Sequence, residues 1–151
     1  MSIALTHVTD LVVELCKPHE MGECPMGARR IIPIVGGNAE GPLLRGRILP
    51  IGADWQTVSR EGIAELDARY AVETEDGAVI EVISQGIRHA TAEVHARIAG
   101  GEEVNPAEYY MRTAIRLETG HAGYDWVNRA LFIAKGGKVG NTVRLAVYRI
   151  D

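Results

Sequence analysis

The sequence is poor in aromatic residues, in cysteine, and in any sustained run of charge or apolarity. Aromatics make up 5% of its 151 residues, too few for the stacking platforms that hold single-stranded nucleic acid. Its 16 basic residues are outnumbered by 20 acidic ones, for a net charge of −4, and none of the basic residues forms a Lys/Arg tract. Duplex DNA and RNA are therefore excluded as partners, because phosphate binding needs a basic face. No apolar run approaches the roughly 18–20 residues of a membrane helix. The first residues, Met1–Leu15, lack a basic segment and contain Asp10 and Glu14. No signal peptide is expected there, and the chain is expected in the cytoplasm. Its two cysteines, Cys16 and Cys24, read as reduced thiols. They bracket His19, Glu20 and Glu23, but standard zinc pairs sit about two to four residues apart. The segment is read as a polar loop, and no metal is expected.

What remains is ordinary for a soluble domain: 46% hydrophobic and 24% charged residues. The length suits one domain spanning residues 1–151, large enough to bury a core without staples.

Most of the chain alternates with period two and is broken by turn residues every 8–12 positions, the pattern of a sandwich or barrel. Strands are expected at Leu11–Leu15, Arg29–Val35, Pro42–Leu49, Trp55–Ser59, Ala64–Thr74, Ala78–Ser84, Tyr110–Glu118, Ala130–Lys135 and Thr142–Ile150. Pro33 marks an edge or bulge. Gly36-Gly37-Asn38 reads as a turn, and Asp76-Gly77 as a tight hairpin turn needing positive φ. One segment has helical rhythm. Thr91 serves as N-cap of Thr91–Ala99, Val94 and Ile98 share a face, and Gly100-Gly101 ends it. A short turn is expected at Gly123–Asn128.

The expected fold is all-β: a closed antiparallel barrel of about eight to nine strands with one short helix. Closure removes exposed edges, and a barrel of about eight strands holds side chains or one small ligand. The long strand sorts Leu66, Ala68, Tyr70 and Val72 from Glu65, Asp67, Arg69 and Glu73. Tyr110–Glu118 sorts Met111, Thr113, Ile115 and Leu117 from Arg112, Ala114, Arg116 and Glu118. Parity leaves open which face is inside.

Several segments carry a resemblance in order along the chain. The first are Gly36–Gly46, Gly52-Ala53-Asp54-Trp55, Leu66-Asp67-Ala68-Arg69-Tyr70, Asp76-Gly77 and Gly86-Ile87-Arg88. Then follow Glu108-Tyr109-Tyr110-Met111-Arg112-Thr113, Glu118-Thr119-Gly120 and Tyr124-Asp125-Trp126-Val127-Asn128. Together, over about Gly27–Arg149, they resemble the domain of unknown function 3237 family, also called uncharacterised protein family 0311. The resemblance implies a calycin-like (lipocalin-like) β-barrel and brings no assigned catalytic residues.

The residues themselves suggest a site. Asp54 is the candidate proton carrier, since a carboxyl desolvated against the indole of Trp55 would hold its proton more readily. Arg69, Arg88 and Arg112 are candidate anion holders through paired donors. They could equally be neutralised by Glu65, Asp67, Glu81 or Glu118. Trp126, in its Gly-bounded turn, could wall a ligand, and Glu81 joins the ligand-facing set. No cofactor is expected, because no P-loop or nucleophile elbow occurs and the five histidines are scattered.

Three functions remain open. The first is a barrel binding an anionic small molecule, with cofactor-free acid/base chemistry of isomerase, lyase or cyclase type. The second is a non-catalytic carrier or sensor. The third is a structural homo-oligomer, favoured if the interior cavity falls below roughly 300 Å³.

Overall fold

A computed structural model describes residues 1–151. It has ten strands: β1 (Leu5–Leu15), β2 (His19–Cys24), β3 (Gly27–Glu40), β4 (Gly46–Ile48), β5 (Gly52–Val58), β6 (Ile63–Thr74), β7 (Val79–His89), β8 (Tyr110–Glu118), β9 (Phe132–Val139) and β10 (Thr142–Ile150). All pairings are antiparallel. Eight strands close a ring in the order β1, β3, β5, β6, β7, β8, β9, β10 and back to β1. β2 and β4 stand outside that ring. They extend β1 and β5 along the two edges of β3, which is long enough to face two partners on each side.

Most expected strands are present, with longer bounds at several ends, but the strand expected over Pro42–Leu49 is reduced to Gly46–Ile48, with residues 42–45 in a bend and irregular segment instead. Gly36-Gly37-Asn38 is not a turn. It runs within β3 and pairs with Val12–Glu14 of β1. Gly37 (φ 125°) is needed there because a Cβ would lie 1.9 Å from the Val12 carbonyl oxygen. The segment read as a polar loop contains β2. Pro33 sits where the β1 pairing ends at Ile34 and the β2 pairing begins at Ile31. A residue without N–H loses least in such a gap. The Asp76-Gly77 turn forms as expected, with Gly77 at φ 86°.

The helix α1 (Ala92–Ala99) starts at Thr91, whose side chain accepts from the Val94 N–H, and it buries Val94 and Ile98. α1 and the following segment occupy the connection from β7 to β8. Val94, Ile98, Val104 and Tyr109 join the core there. A 3₁₀ segment, Ala122–Arg129, lies in the connection from β8 to β9. Its Val127 is fully buried, its Trp126 packs 6.1 Å from Phe132, and its Tyr124 hydroxyl donates to Asp76. The two connections belong to opposite ends of the barrel, because β8 begins after one and ends before the other.

Burial settles which face is inside. Leu66, Tyr70 and Val72 of β6, Ile80, Val82 and Ser84 of β7, and Met111, Thr113, Ile115 and Leu117 of β8 are all buried. Glu65, Asp67, Arg69, Ala114, Arg116 and Glu118 at the alternate positions are exposed, as the two-residue period of a strand requires, and Ala71 alone among the β6 alternates is buried. No helix is long and apolar enough to cross a membrane.

Candidate functional site

The inward face gathers its charged groups at one end, while Thr9 and Thr74 are buried elsewhere. On β3 and β5 the inward positions Arg30 and Gln56 pair across the strands, as do Ile32 and Asp54. The Arg30 Nε donates to Gln56 Oε1 at 3.1 Å, and Gln56 Nε2 donates to Asp54 Oδ2 at 2.8 Å. The Asp67 backbone N–H donates to Asp54 Oδ1 at 2.9 Å. Asp54 is thus held by two donors, yet burial outweighs them and holds its pKa above the ordinary carboxylate value. The hydrogen bonds and the charges of Arg88 and Arg30 pull the other way. A carboxyl that keeps its proton more readily than an exposed one is suited to acid/base work.

Arg88, near the end of β7, points into the same region and is only 6% exposed. No carboxylate lies within 4.0 Å of it, and its Nε has no hydrogen-bond partner. Burial, reinforced by Arg30, pushes its pKa down, against the pull of Tyr109 and Asp54. Lys138 of β9 shares the field, its pKa lowered by burial and by Arg88 and Arg30. Three cationic side chains therefore influence one another at this end, with Asp54 as the carboxylate among them.

A cavity of about 40 Å³ adjoins Asp54 and Arg88, and Arg30 and Lys138 lie outside its lining. Asp54, Gln56, Tyr70, Ser84, Arg88 and Thr113 form its polar lining, with Ile34, Leu66, Met111 and Leu145 among the apolar residues. Leu15, Ala68 and Val143, which also line it, are half-buried, so the cavity communicates with the surface. Tyr70 Oη and Thr113 Oγ1 are buried without a partner, like Arg88 Nε. Burial, and then the nearby Asp54 charge, raises the Tyr70 pKa, so its phenol stays protonated.

Of the candidates named from the sequence, Asp54 and Arg88 meet at this cavity and the others do not. Trp55 follows Asp54 in β5 and so projects to the opposite face, 45% exposed. The desolvation of Asp54 comes from the barrel interior and not from the indole. Arg69 falls on the outer face of β6. Arg112 is also outside. Its guanidinium lies 4.9 Å from the centre of the Tyr110 ring and donates to the Met111 carbonyl. It lines an outer groove of about 610 Å³ with Ile87, Tyr110, Ile133 and Lys135. Glu81 is outside too, in a groove of about 260 Å³ with Arg116 and Glu118. Trp126 belongs to the opposite end of the barrel. None of Arg69, Arg88 and Arg112 pairs with the acidic residues weighed as their partners.

Arg30, Gln56, Tyr70, Ser84, Thr113 and Lys138 were missed as site residues. Each sits at an inward parity position, and parity was the available signal. It was silent because the inward face was not yet known. No group of three or more His, Cys, Asp or Glu side chains gathers as a metal site. Cys16 is exposed and Cys24 half-buried, both as free thiols.

Comparisons with known proteins agree with this architecture. The family model described as "Protein of unknown function (DUF3237)" matches residues 3–150. A UPF0311 protein of Rhodopseudomonas palustris (strain TIE-1) is 42% identical over 129 residues, covering 85% of this chain and 84% of that one. A crystal structure of a conserved protein of unknown function from Rhodopseudomonas palustris superposes with a TM-score of 0.97 at 36% identity, covering 100% of this chain and 99% of that one. A β-barrel-like protein from Acinetobacter baumannii AYE gives 0.88 at 38% identity, covering 100% and 98%. A structure described as an enzyme from Penicillium herquei gives 0.74 at 17% identity, covering 100% and 96%. At that identity the likeness shows the fold alone.

Proposed function

The chain belongs to the DUF3237 family, and on that premise we propose that its barrel binds a small anionic organic ligand and moves a proton on it without a cofactor. The observation that carries this reading is Arg88, a guanidinium 6% exposed inside the barrel with no protein partner for its Nε. A buried charge is stable when paired, and an anionic ligand would supply the missing partner. Asp54 stands at the same cavity with a raised pKa. In an isomerase-type step Asp54 takes a proton from a carbon next to a carbonyl. The charge that develops on oxygen is held by Arg88, and Asp54 returns the proton to another carbon. Atoms balance within the ligand, and no co-reactant is needed. The distant likeness to an enzyme adds only that such a barrel is compatible with catalysis.

The cavity, at about 40 Å³, is far smaller than the roughly 300 Å³ of a site enclosing a whole organic ligand. In this reading it takes only the charged end, and the rest of the ligand lies toward the half-buried mouth. The test assays the wild type and Asp54→Asn on a panel of enolisable organic acids. Asp54→Asn should keep binding and lose turnover; unchanged turnover removes Asp54 from the chemistry. Binding without turnover in the wild type would make the protein a carrier or sensor.

The second reading, a structural homo-oligomer, is favoured by the small cavity and by the outer groove. There Ile87, Tyr110 and Ile133 are 45%, 52% and 37% exposed. Sedimentation equilibrium of the wild type and of Ile133→Asp decides it. A monomer in both removes this reading.

A further inference from the structure

Five buried side-chain polar atoms lack a hydrogen-bond partner: those of Thr9, Arg29, Tyr70, Arg88 and Thr113. Three of these residues, Tyr70, Arg88 and Thr113, line the one small cavity. They come from three different strands, β6, β7 and β8, so the coincidence is not a local defect of one turn. Buried polar groups are ordinarily satisfied, and each unsatisfied one costs stability. All three can donate: a phenol O–H, a guanidinium N–H and a threonine O–H. The only carboxylate at the cavity, Asp54, is already engaged by Gln56 and the Asp67 backbone.

From this placement we propose that the cavity is a carboxylate pocket, in which Tyr70, Arg88 and Thr113 together hold the carboxylate of a small monocarboxylic acid. The proposal rests on the anion-binding reading above and names its head group. A carboxylate is acceptor-only, with about four lone-pair sites on two oxygens, so it matches three donors and neutralises one guanidinium. A single bound water could accept from two donors but would leave the charge unpaired. Phosphate carries more charge and bulk than a 40 Å³ cavity with one unpaired arginine suits. The apolar part of the acid would lie toward the half-buried mouth, on Leu15, Ala68 and Val143, which also line the cavity.

The test is calorimetric titration of butyrate, butyramide and inorganic phosphate into the full chain, with melting curves of the ligand-free protein. The variants are Tyr70→Phe, Thr113→Val and Arg88→Met. Butyrate is expected to bind the wild type at least tenfold more tightly than either other probe. Tyr70→Phe and Thr113→Val should each weaken butyrate about tenfold, the worth of one hydrogen bond to a charged group. Neither should lower the melting temperature of the ligand-free protein, since each removes an unsatisfied hydroxyl. A drop in that temperature would mark the hydroxyl as structural and overturn its role. Butyramide or phosphate binding as well as butyrate overturns the head group. If butyrate binding survives Tyr70→Phe and Thr113→Val and is lost in Arg88→Met, the carboxylate pocket falls and anion binding at Arg88 stands. If none of the probes binds the wild type, both fall.

Discussion

Replacing Arg88 by Met should make the ligand-free protein more stable. The guanidinium is 6% exposed, its Nε is unsatisfied, and no carboxylate lies within 4.0 Å. A buried donor without a partner costs about 1–3 kcal/mol, and more when charged. Exchanging buried charge for apolar side chains of similar volume is commonly neutral or stabilising by about 1–4 kcal/mol. Methionine keeps a flexible apolar stem where the arginine methylenes packed. One term opposes the gain, because Asp54 loses the favourable charge of Arg88 and is left harder to ionise. Together these give an expected gain of about 1–2 kcal/mol at neutral pH. For a domain of this size that raises Tm by roughly 2–4 °C per kcal/mol. Urea denaturation of dialysed protein measures the free energy, with an unchanged m-value as the check that both states are comparable. A loss of about 2 kcal/mol or more would refute the reasoning, since it would mean that the guanidinium is satisfied in the ligand-free fold. The anion-binding site would then have no vacancy to fill.

The raised pKa of Asp54 has its own signature. A carboxyl that holds its proton more tightly in the folded state destabilises the fold once it ionises. Its favourable contribution is complete below the ordinary value of 3.8 and is lost as pH rises through the folded pKa. Asp54→Asn should remove that component, so the wild-type minus variant difference in unfolding free energy should fall from pH 3.5 toward pH 7 (about the range to be scanned). A flat difference would show Asp54 to be solvated. Gly86 of β7 faces Thr113 of β8. A Cβ there would lie 2.1 Å from the Arg112 carbonyl oxygen and 2.7 Å from the Thr113 Cα. Gly86→Ala should therefore cost about 1–3 kcal/mol through overpacking and weaken anion binding by shifting Thr113. Denaturation and titration of the same sample check both, and an unperturbed variant would mean that β7 and β8 separate freely.

The sequence by itself determined a good deal of this protein. Its period-two alternation and its Gly-marked turns are local signals, and they specify an antiparallel all-β chain. Thr91 and Asp76-Gly77 specify a helix start and a hairpin because capping and positive φ are properties of a few adjacent residues. The ordered motifs carried the family resemblance. The alternation also sorted Leu66, Ala68 and Tyr70 from Asp67 and Arg69 before any face was known to be inside. Gly36-Gly37-Asn38 misled because it reads as a turn locally, whereas the β1 backbone passing 1.9 Å from a would-be Cβ on Gly37 selects glycine within a strand. That neighbour lies more than twenty residues away in sequence. Only the tertiary structure decided which parity lies inside the barrel. Ring closure through β1 and β10 is a long-range event, and it sends Asp54 inward with Arg88 and Trp55 outward. It also gathers Arg30, Tyr70, Arg88, Thr113 and Lys138 from five strands to one end. No spacing along the chain encodes that gathering, because antiparallel strands join residues by register and not by separation.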